Sequence, residues 1–145
     1  VKLLCARELA EKFLVMVTKN GTIKKTKADE FANIRKTGIR ALSLDEGDEL
    51  SFCSLSSGSD SIIIATRQGS GIRFDEKEVR PIGRVSQGVI GIRLDEGDEV
   101  IGMESVIAGG KGATLLAITE NGFGKRTELD EQRNQFPILY MRLEK

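Results

Sequence analysis

One pattern is written three times in this chain, and a repeat of this kind limits the fold more than any other feature. "FLVMVTKNGTIKKT" at Phe13–Thr26, "SIIIATRQGSGIRF" at Ser61–Phe74 and "ATLLAITENGFGKRT" at Ala113–Thr127 share it: an apolar β-rich run, Thr, two polar residues, Gly, then a second short run. Gly21, Gly69 and Gly122 mark the register. Asn20-Gly21 and Asn121-Gly122 are dipeptides that suit a tight type I′ hairpin turn, and Gln68-Gly69 is a weaker version. Each copy therefore predicts a β-hairpin. A polar stretch follows, then a run such as "IRALSL" or "VIGIRL", an acidic turn, and a further run, "ELSFCSL" or "EVIGMESV". This predicts four short strands in each unit of about fifty residues, the size of a propeller blade. Units of about 13–60, 61–112 and 113–145 give at most three blades, and rings close with roughly four to eight.

The acidic turns, "LDEGDEL" at Leu44–Leu50 and "LDEGDEV" at Leu94–Val100, place four carboxylates in five positions. Such a cluster resembles a metal or acid–base site. It falls between two strands, however, with a glycine able to take positive φ, and it lacks the alternating oxygen ligands and closing Glu of a calcium loop. The expected reading is a solvated turn, repeated because its unit is repeated. "ARELAEKF" at Ala6–Phe13 has helix-forming residues but is short, and reads as a connector.

The 145 residues carry 22 Lys+Arg against 22 Asp+Glu and no histidine. The commonest general base and transition-metal ligand are thus missing, which weakens enzymatic readings. Any electrostatic function requires segregated charge. Cys5 and Cys53 form no C-x-x-C pair and read as buried free thiols of a protein in a reducing cytoplasm. No apolar run approaches the ~18 residues of a membrane span, no signal peptide is evident, and the start at Val suggests a fragment.

Aligned on the turn glycines, the fourth following position is basic each time: Lys25, Arg73 and Arg126. Around it lie Lys24, Lys27, Arg35 and Lys36, then Arg80 and Arg84, then Lys125 and Arg133. In a radial array, equivalent positions fall on equivalent edges, so these residues predict a basic rim that attracts a polyanion. The competing reading is that they solubilise exposed strands and blunt their edges. With aromatic residues at 5% and no Trp, stacking on single strands is poorly supplied, and duplex DNA held by its backbone is the better polyanion. The glycines of "RPIGRVSQGVIG" match neither a dinucleotide fingerprint nor a Walker loop, and mark bulges or close chain crossings.

"VTKNGTIKKT", "NIRKTGIRALSLDEGDEL", "FDEKEVRPIGRVSQGVIGIRLDEGDEVIGM" and "TENGFGKRT" together resemble the C-terminal domain of the DNA gyrase A subunit, over roughly Phe13 to Thr127. The related domain of topoisomerase IV is the closer alternative, and a β-repeat scaffold that binds protein through sheet edges is a different one. The resemblance implies an all-β, propeller-like β-pinwheel whose blades exchange strands, here about three four-stranded antiparallel blades in an open arc of a larger ring. It implies a cytoplasmic module that wraps duplex DNA on a basic outer rim and supports ATP-dependent negative supercoiling with the rest of gyrase A and gyrase B. The catalytic tyrosine, ATP and Mg belong elsewhere in such an enzyme, so the resemblance implies no catalytic residue, metal or cofactor here. The residues it would assign to DNA are Lys24, Lys25, Lys27, Arg35, Lys36, Arg73, Arg80, Arg84, Lys125 and Arg126. Two departures stand out. The family's Q-R-R-G-G-[RK]-G box is absent, and after Thr127 the chain runs "ELDEQRNQFPILYMRLEK" with no glycine, so the third blade is expected to be the least complete.

Overall fold

The computed structural model describes residues 4–6, 8–33, 36–107, 114–129 and 135–137. Each glycine-marked segment forms an antiparallel hairpin: β1 (Phe13–Thr18) with β2 (Thr22–Lys27), β4 (Asp60–Thr66) with β5 (Ser70–Asp75), and β8 (Thr114–Ile118) with β9 (Gly124–Glu128). The remaining strands are β3 (Leu50–Ser56), β6 (Val89–Ile90), β7 (Val100–Ile107) and β10 (Gln135–Pro137). No α-helix forms among the described residues, and in place of the expected helical connector Leu9–Lys12 closes as a turn, Lys12 N–H donating to Leu9 O at 3.2 Å.

The hairpin turns form at the expected places in a different geometry. Gly21, Gly69 and Gly122 have φ of +86°, +88° and +81°, but Glu11 is the one non-glycine with positive φ among the described residues. A type I′ turn needs positive φ at both central positions, so these are three-residue loops with glycine alone in the left-handed region. The threonine before each loop explains the choice. Its carbonyl accepts the glycine N–H (Gly21 to Thr18 at 3.1 Å), and its hydroxyl accepts the next amide (Thr22 N to Thr18 Oγ1 at 3.1 Å). The same pair of bonds recurs at Thr66 and Thr119.

Sheet order departs from one unit, one blade. The first sheet runs β3-β1-β2-β6 and the second β10-β5-β4-β7, while β8-β9 stands as a two-stranded sheet. β6 belongs to the second unit yet pairs with β2 of the first, through Thr22↔Ile90 and Ile23↔Val89. β10, from the glycine-free tail, pairs in the same way with β5. Each complete blade therefore takes three strands from one unit and its outermost strand from the next. The expected strand before the acidic turn is reduced to Val89–Ile90 in the second unit, and Ile39–Leu44 forms none in the first.

The crossing segment follows the rim of the first blade. After β5 a single 3-10 turn, Glu76–Glu78, is closed by an Asp75/Glu78 capping box. Pro81 then lies parallel beside Lys25, and Ile82 N–H donates to Lys25 O at 2.9 Å. Proline fits an outer edge because it has no N–H to leave unpaired.

β1 and β4 are buried on both faces, which is why they read as continuous apolar runs instead of alternating ones. Val15, Val17 and Ile23 of the first blade and Ile62, Ile64, Val79 and Val100 of the second form one core, with Phe52, Ile72, Phe74, Ile92, Leu94 and Met103 packed against it. β3 lies against β7 across the junction. Both cysteines are free, but Cys5 is exposed and Cys53 only half-buried, contrary to the expected burial. Cys5 precedes β1 in a segment that joins no sheet.

Candidate nucleic-acid interface

The basic position after each turn glycine does not form one uniform rim. Lys24 is 1% exposed, and its ammonium donates to the carbonyls of Ala41 (3.0 Å), Ser86 (2.9 Å) and Arg84. Lys25 is 3% exposed, donates to Glu76 O at 2.7 Å, and lies 3.6 Å from Glu76 Oε1 and 5.1 Å from the centre of the Phe13 ring. Both were expected at the rim; their ammonium groups are instead spent inside the fold. The exchanged segment covers the outer side of β2, and a buried charge persists only where polar groups surround it. Burial lowers the pKa of Lys24; Glu30 opposes the shift and Arg84 adds to it.

The exposed members of the expected set lie at the end of β2 and after it, on the crossing segment and on the last hairpin. Lys27, Lys36 and Arg80 are exposed, and Lys125 and Arg126 stand exposed on β9. Arg73 is half-buried on β5, where Nη2 donates to Ser61 Oγ at 3.3 Å. Arg84 is half-buried; its N–H donates to Glu30 Oε2 at 3.0 Å, and Nη1 donates to Arg40 O at 3.3 Å. The structure thus brings Arg84 beside exposed Arg40 on the outer edge of the first blade, with Lys24 underneath. Arg40 escaped the glycine-register alignment because its counterpart fifty residues on is Ile90. Arg35 and Arg133 lie outside the described residues.

The acidic turns are tied down more firmly than solvated loops. Asp48 Oδ1 accepts from Asn20 N at 3.0 Å and Glu49 N at 2.8 Å, and Asp98 Oδ1 accepts from Gln68 N at 2.9 Å and Glu99 N at 2.8 Å. Each turn therefore grips the hairpin loop of its own unit. Burial pushes the Asp98 carboxyl up, but donors from Thr66, Gln68, Glu99 and Arg67 outweigh it and hold the group below the ordinary range. Glu99 also joins the two blades: it pairs with Arg67 of its own unit and with Lys19 of the first at 3.0 Å. The hydrogen bond between them lowers the Glu99 pKa and raises that of Lys19. These carboxylates engage Lys19 and Arg67 at the turns.

Comparison with known proteins agrees with this architecture. The profile of the family described as "DNA gyrase C-terminal domain, beta-propeller" matches residues 12–57, 60–107 and 113–135, one segment for each unit. The DNA gyrase A subunit of Aminobacterium colombiense is 47% identical over 120 residues, covering 83% of this chain and 14% of that protein. The Staphylococcus aureus subunit is 43% identical over 126 residues, covering 87% and 14%. The chain thus spans about a seventh of the curated relatives' length. A solved gyrase A C-terminal domain superposes with a TM-score of 0.74 at 28% identity, covering 86% of this chain and 40% of that one. The C-terminal domain of a DNA topoisomerase IV gives 0.78 at 25% identity, covering 86% and 38%. Fold alone does not separate these two; the matched family profile and the curated relatives above are of gyrase A. With all three units matched in order and over 40% identity across most of its length, the chain belongs to the DNA gyrase A C-terminal domain family, of which it is a strand-exchanged, propeller-like part.

Proposed function

We propose that the chain binds duplex DNA through its phosphate backbone and forms part of the surface on which a gyrase wraps DNA. It would serve negative supercoiling by an ATP-hydrolysing complex of gyrase A and gyrase B in the cytoplasm, and supply no catalytic group of its own. The units about 13–60, 61–112 and 113–145 act as successive segments of one track. The observation that carries this reading is the crossing segment, which covers the outer edge of the first blade and holds Arg80 and Arg84 there, beside Arg40, while Asp48, Asp98 and Glu99 are committed to the hairpin turns and Glu30 accepts from the Arg84 amide. Lys27, Lys36, Lys125 and Arg126 extend the track, and half-buried Arg73 contributes its exposed part. Lys24 and Lys25 act from beneath as structural cations.

Phosphate contacts displace counterions, so log K against log[salt] falls by roughly 0.9 per contact whatever the base sequence. In a gel-shift salt series with the 145-residue chain on two unrelated duplexes, Arg40→Ala, Arg80→Ala, Arg84→Ala and Arg126→Ala should each make the slope shallower by about one unit. Slopes that these changes leave untouched, or losses confined to one duplex, would reduce the edge to ordinary solubilising charge. The chain would then be better read as a scaffold that binds protein through its sheet edges, the reading favoured by Leu116 and Ile118, which stand exposed on β8.

A further inference from the structure

The first two blades are joined by a buried charged node that DNA contact does not require. Glu76 has no exposed surface. It sits in the 3-10 turn after β5, so the second blade carries it, yet its carboxylate reaches back to the first. Oε1 accepts from Ser56 Oγ, at the end of β3, at 2.6 Å. Oε2 accepts from Gly58 N and Asp60 N, in and after the inter-blade linker, at 3.1 Å each. Lys25 of β2 completes the node from the first blade with its bond to Glu76 O and its approach to Oε1. The linker is fixed as well. Asp60 accepts from Ser57 Oγ at 2.6 Å and from Ser105 Oγ of β7 at 2.9 Å. A Cβ added to Gly58 would stand 2.8 Å from the Phe13 ring.

The next junction is built differently. Counted from the turn glycines, Lys25 corresponds to Arg73 and Glu76 to Leu129. In the β3 and β7 registers Ser56 corresponds to Val106, and Phe13 to Ser61. An acid and a hydroxyl become two aliphatic side chains, and the cation turns to a serine in place of a phenyl ring. Directional hydrogen bonds fix an angle between sheets, whereas aliphatic contact lets packed layers shift.

We propose that the Lys25–Glu76 pair is a positioning device that sets the angle between the first and second blades, and so the direction in which the DNA track bends. The bending consequence rests on the DNA reading above; the angle does not. Replacing a buried ion pair by apolar groups of similar size is often tolerated, but in Lys25→Met/Glu76→Leu the amides of Gly58 and Asp60 and the Ser56 hydroxyl also lose their acceptor, so the variant should remain folded with reduced stability while losing the bond directions.

The angle is measured without DNA, by pulsed electron spin resonance on the full chain with Cys5 and Cys53 changed to Ser. Spin labels at Asp29 of the first blade and Glu104 of the second report across the junction; labels at Asn20 and Asp29 report within the first blade. In the double variant the cross-junction distance distribution should broaden about twofold or move, as sheets rock about their linker, while the within-blade distribution stays as in the parent. Lys25→Arg, which keeps the charge, should stay close to the parent. An unchanged cross-junction distribution overturns the proposal. Broadening of both distributions overturns it too, since the pair would then hold the blade itself. A linking-number assay on relaxed circular DNA separates the two readings. If the angle changes and the chain binds DNA, the shift per bound chain should fall at least by half with the salt slope unchanged; a parent chain that gives no shift counts against the DNA reading alone.

Discussion

Strand exchange depends on a close approach of two backbones, and Gly88→Ala tests it. A Cβ at position 88 would lie 2.3 Å from Ile23 O, 2.6 Å from Thr22 Cγ2 and 2.9 Å from the Ile23 carbonyl carbon. The nearest atom is backbone near the start of β2, so the strain cannot be relieved by turning a rotamer. β6 must retreat by roughly 1 Å to restore van der Waals contact. That retreat removes the two-residue pairing with β2 and strains the bonds from Gly91 N (2.9 Å) and Ile92 N (3.2 Å) to Gly21 O. With overpacking at about 1–3 kcal/mol and about 1 kcal/mol for each weakened hydrogen bond, the expected loss is about 2–4 kcal/mol. Gly83→Ala is the matched control on the same segment, because its Cβ would meet only Ser86 Oγ, at 4.0 Å. It should stay within about 0.5 kcal/mol of the parent. Urea unfolding followed by circular dichroism gives both values, and hydrogen exchange at the Gly91 and Ile92 amides shows whether the loss is local. Equal stabilities for the two variants, with those amides still protected, would refute the argument that close approach selects glycine here.

The acidic turns should prove structural. Asp48→Asn and Asp98→Asn each weaken an acceptor that holds two turn amides, so each should cost about 1–2 kcal/mol in urea unfolding while leaving DNA affinity and its salt slope near the parent's in the same gel-shift series. Acid should loosen the same contacts. For Asp60 burial raises the pKa, but bonds from Ser57 and Ser105 outweigh it and the net shift is downward, as it is for Asp98 and Glu99. Groups with depressed folded pKa values stabilise the fold above their unfolded values of about 4 and lose that contribution as pH falls through the lower folded values. Melting temperature should therefore hold from pH 7 to about 5 and fall below about 4, with a shallower fall in Asp98→Asn; an unchanged profile in that variant would remove Asp98 from the set.

The legible part of this structure is the part that a few adjacent residues decide. The turn glycines and the two acidic-turn glycines, Gly47 and Gly97, all take positive φ where the repeat placed them, because left-handed backbone selects glycine locally. The Asn-Gly dipeptide does not decide the turn type; the deciding group is the threonine hydroxyl two residues earlier, which closes a longer loop. The exchanged strand was harder to see. Val89–Ile90 continues its own unit in sequence, and nothing within that unit says which β edge it meets.

The basic rim shows where alignment by repeats fails in principle. Lys25, Arg73 and Arg126 hold one position in three copies, and the structure buries the first, half-buries the second and leaves the third exposed. A β-hairpin in this fold does not own its outer face; the following unit supplies the strand and the polar groups that cover it. Lys25 is followed by a unit bearing Glu76 and the Pro81–Ile90 crossing, so its charge turns inward. Arg73 is followed by a unit with Leu129 in place of that acid, and its guanidinium turns to Ser61. Beyond Arg126 no described strand covers β9, and its side chain faces solvent. Equal residues at equal positions therefore face different partners whenever their downstream neighbours differ. The place of a cation in such an array is thus read from the next unit's residues at the covering positions: Glu76 holds the Lys25 charge inside the fold, whereas Leu129 offers no carboxylate at the corresponding position.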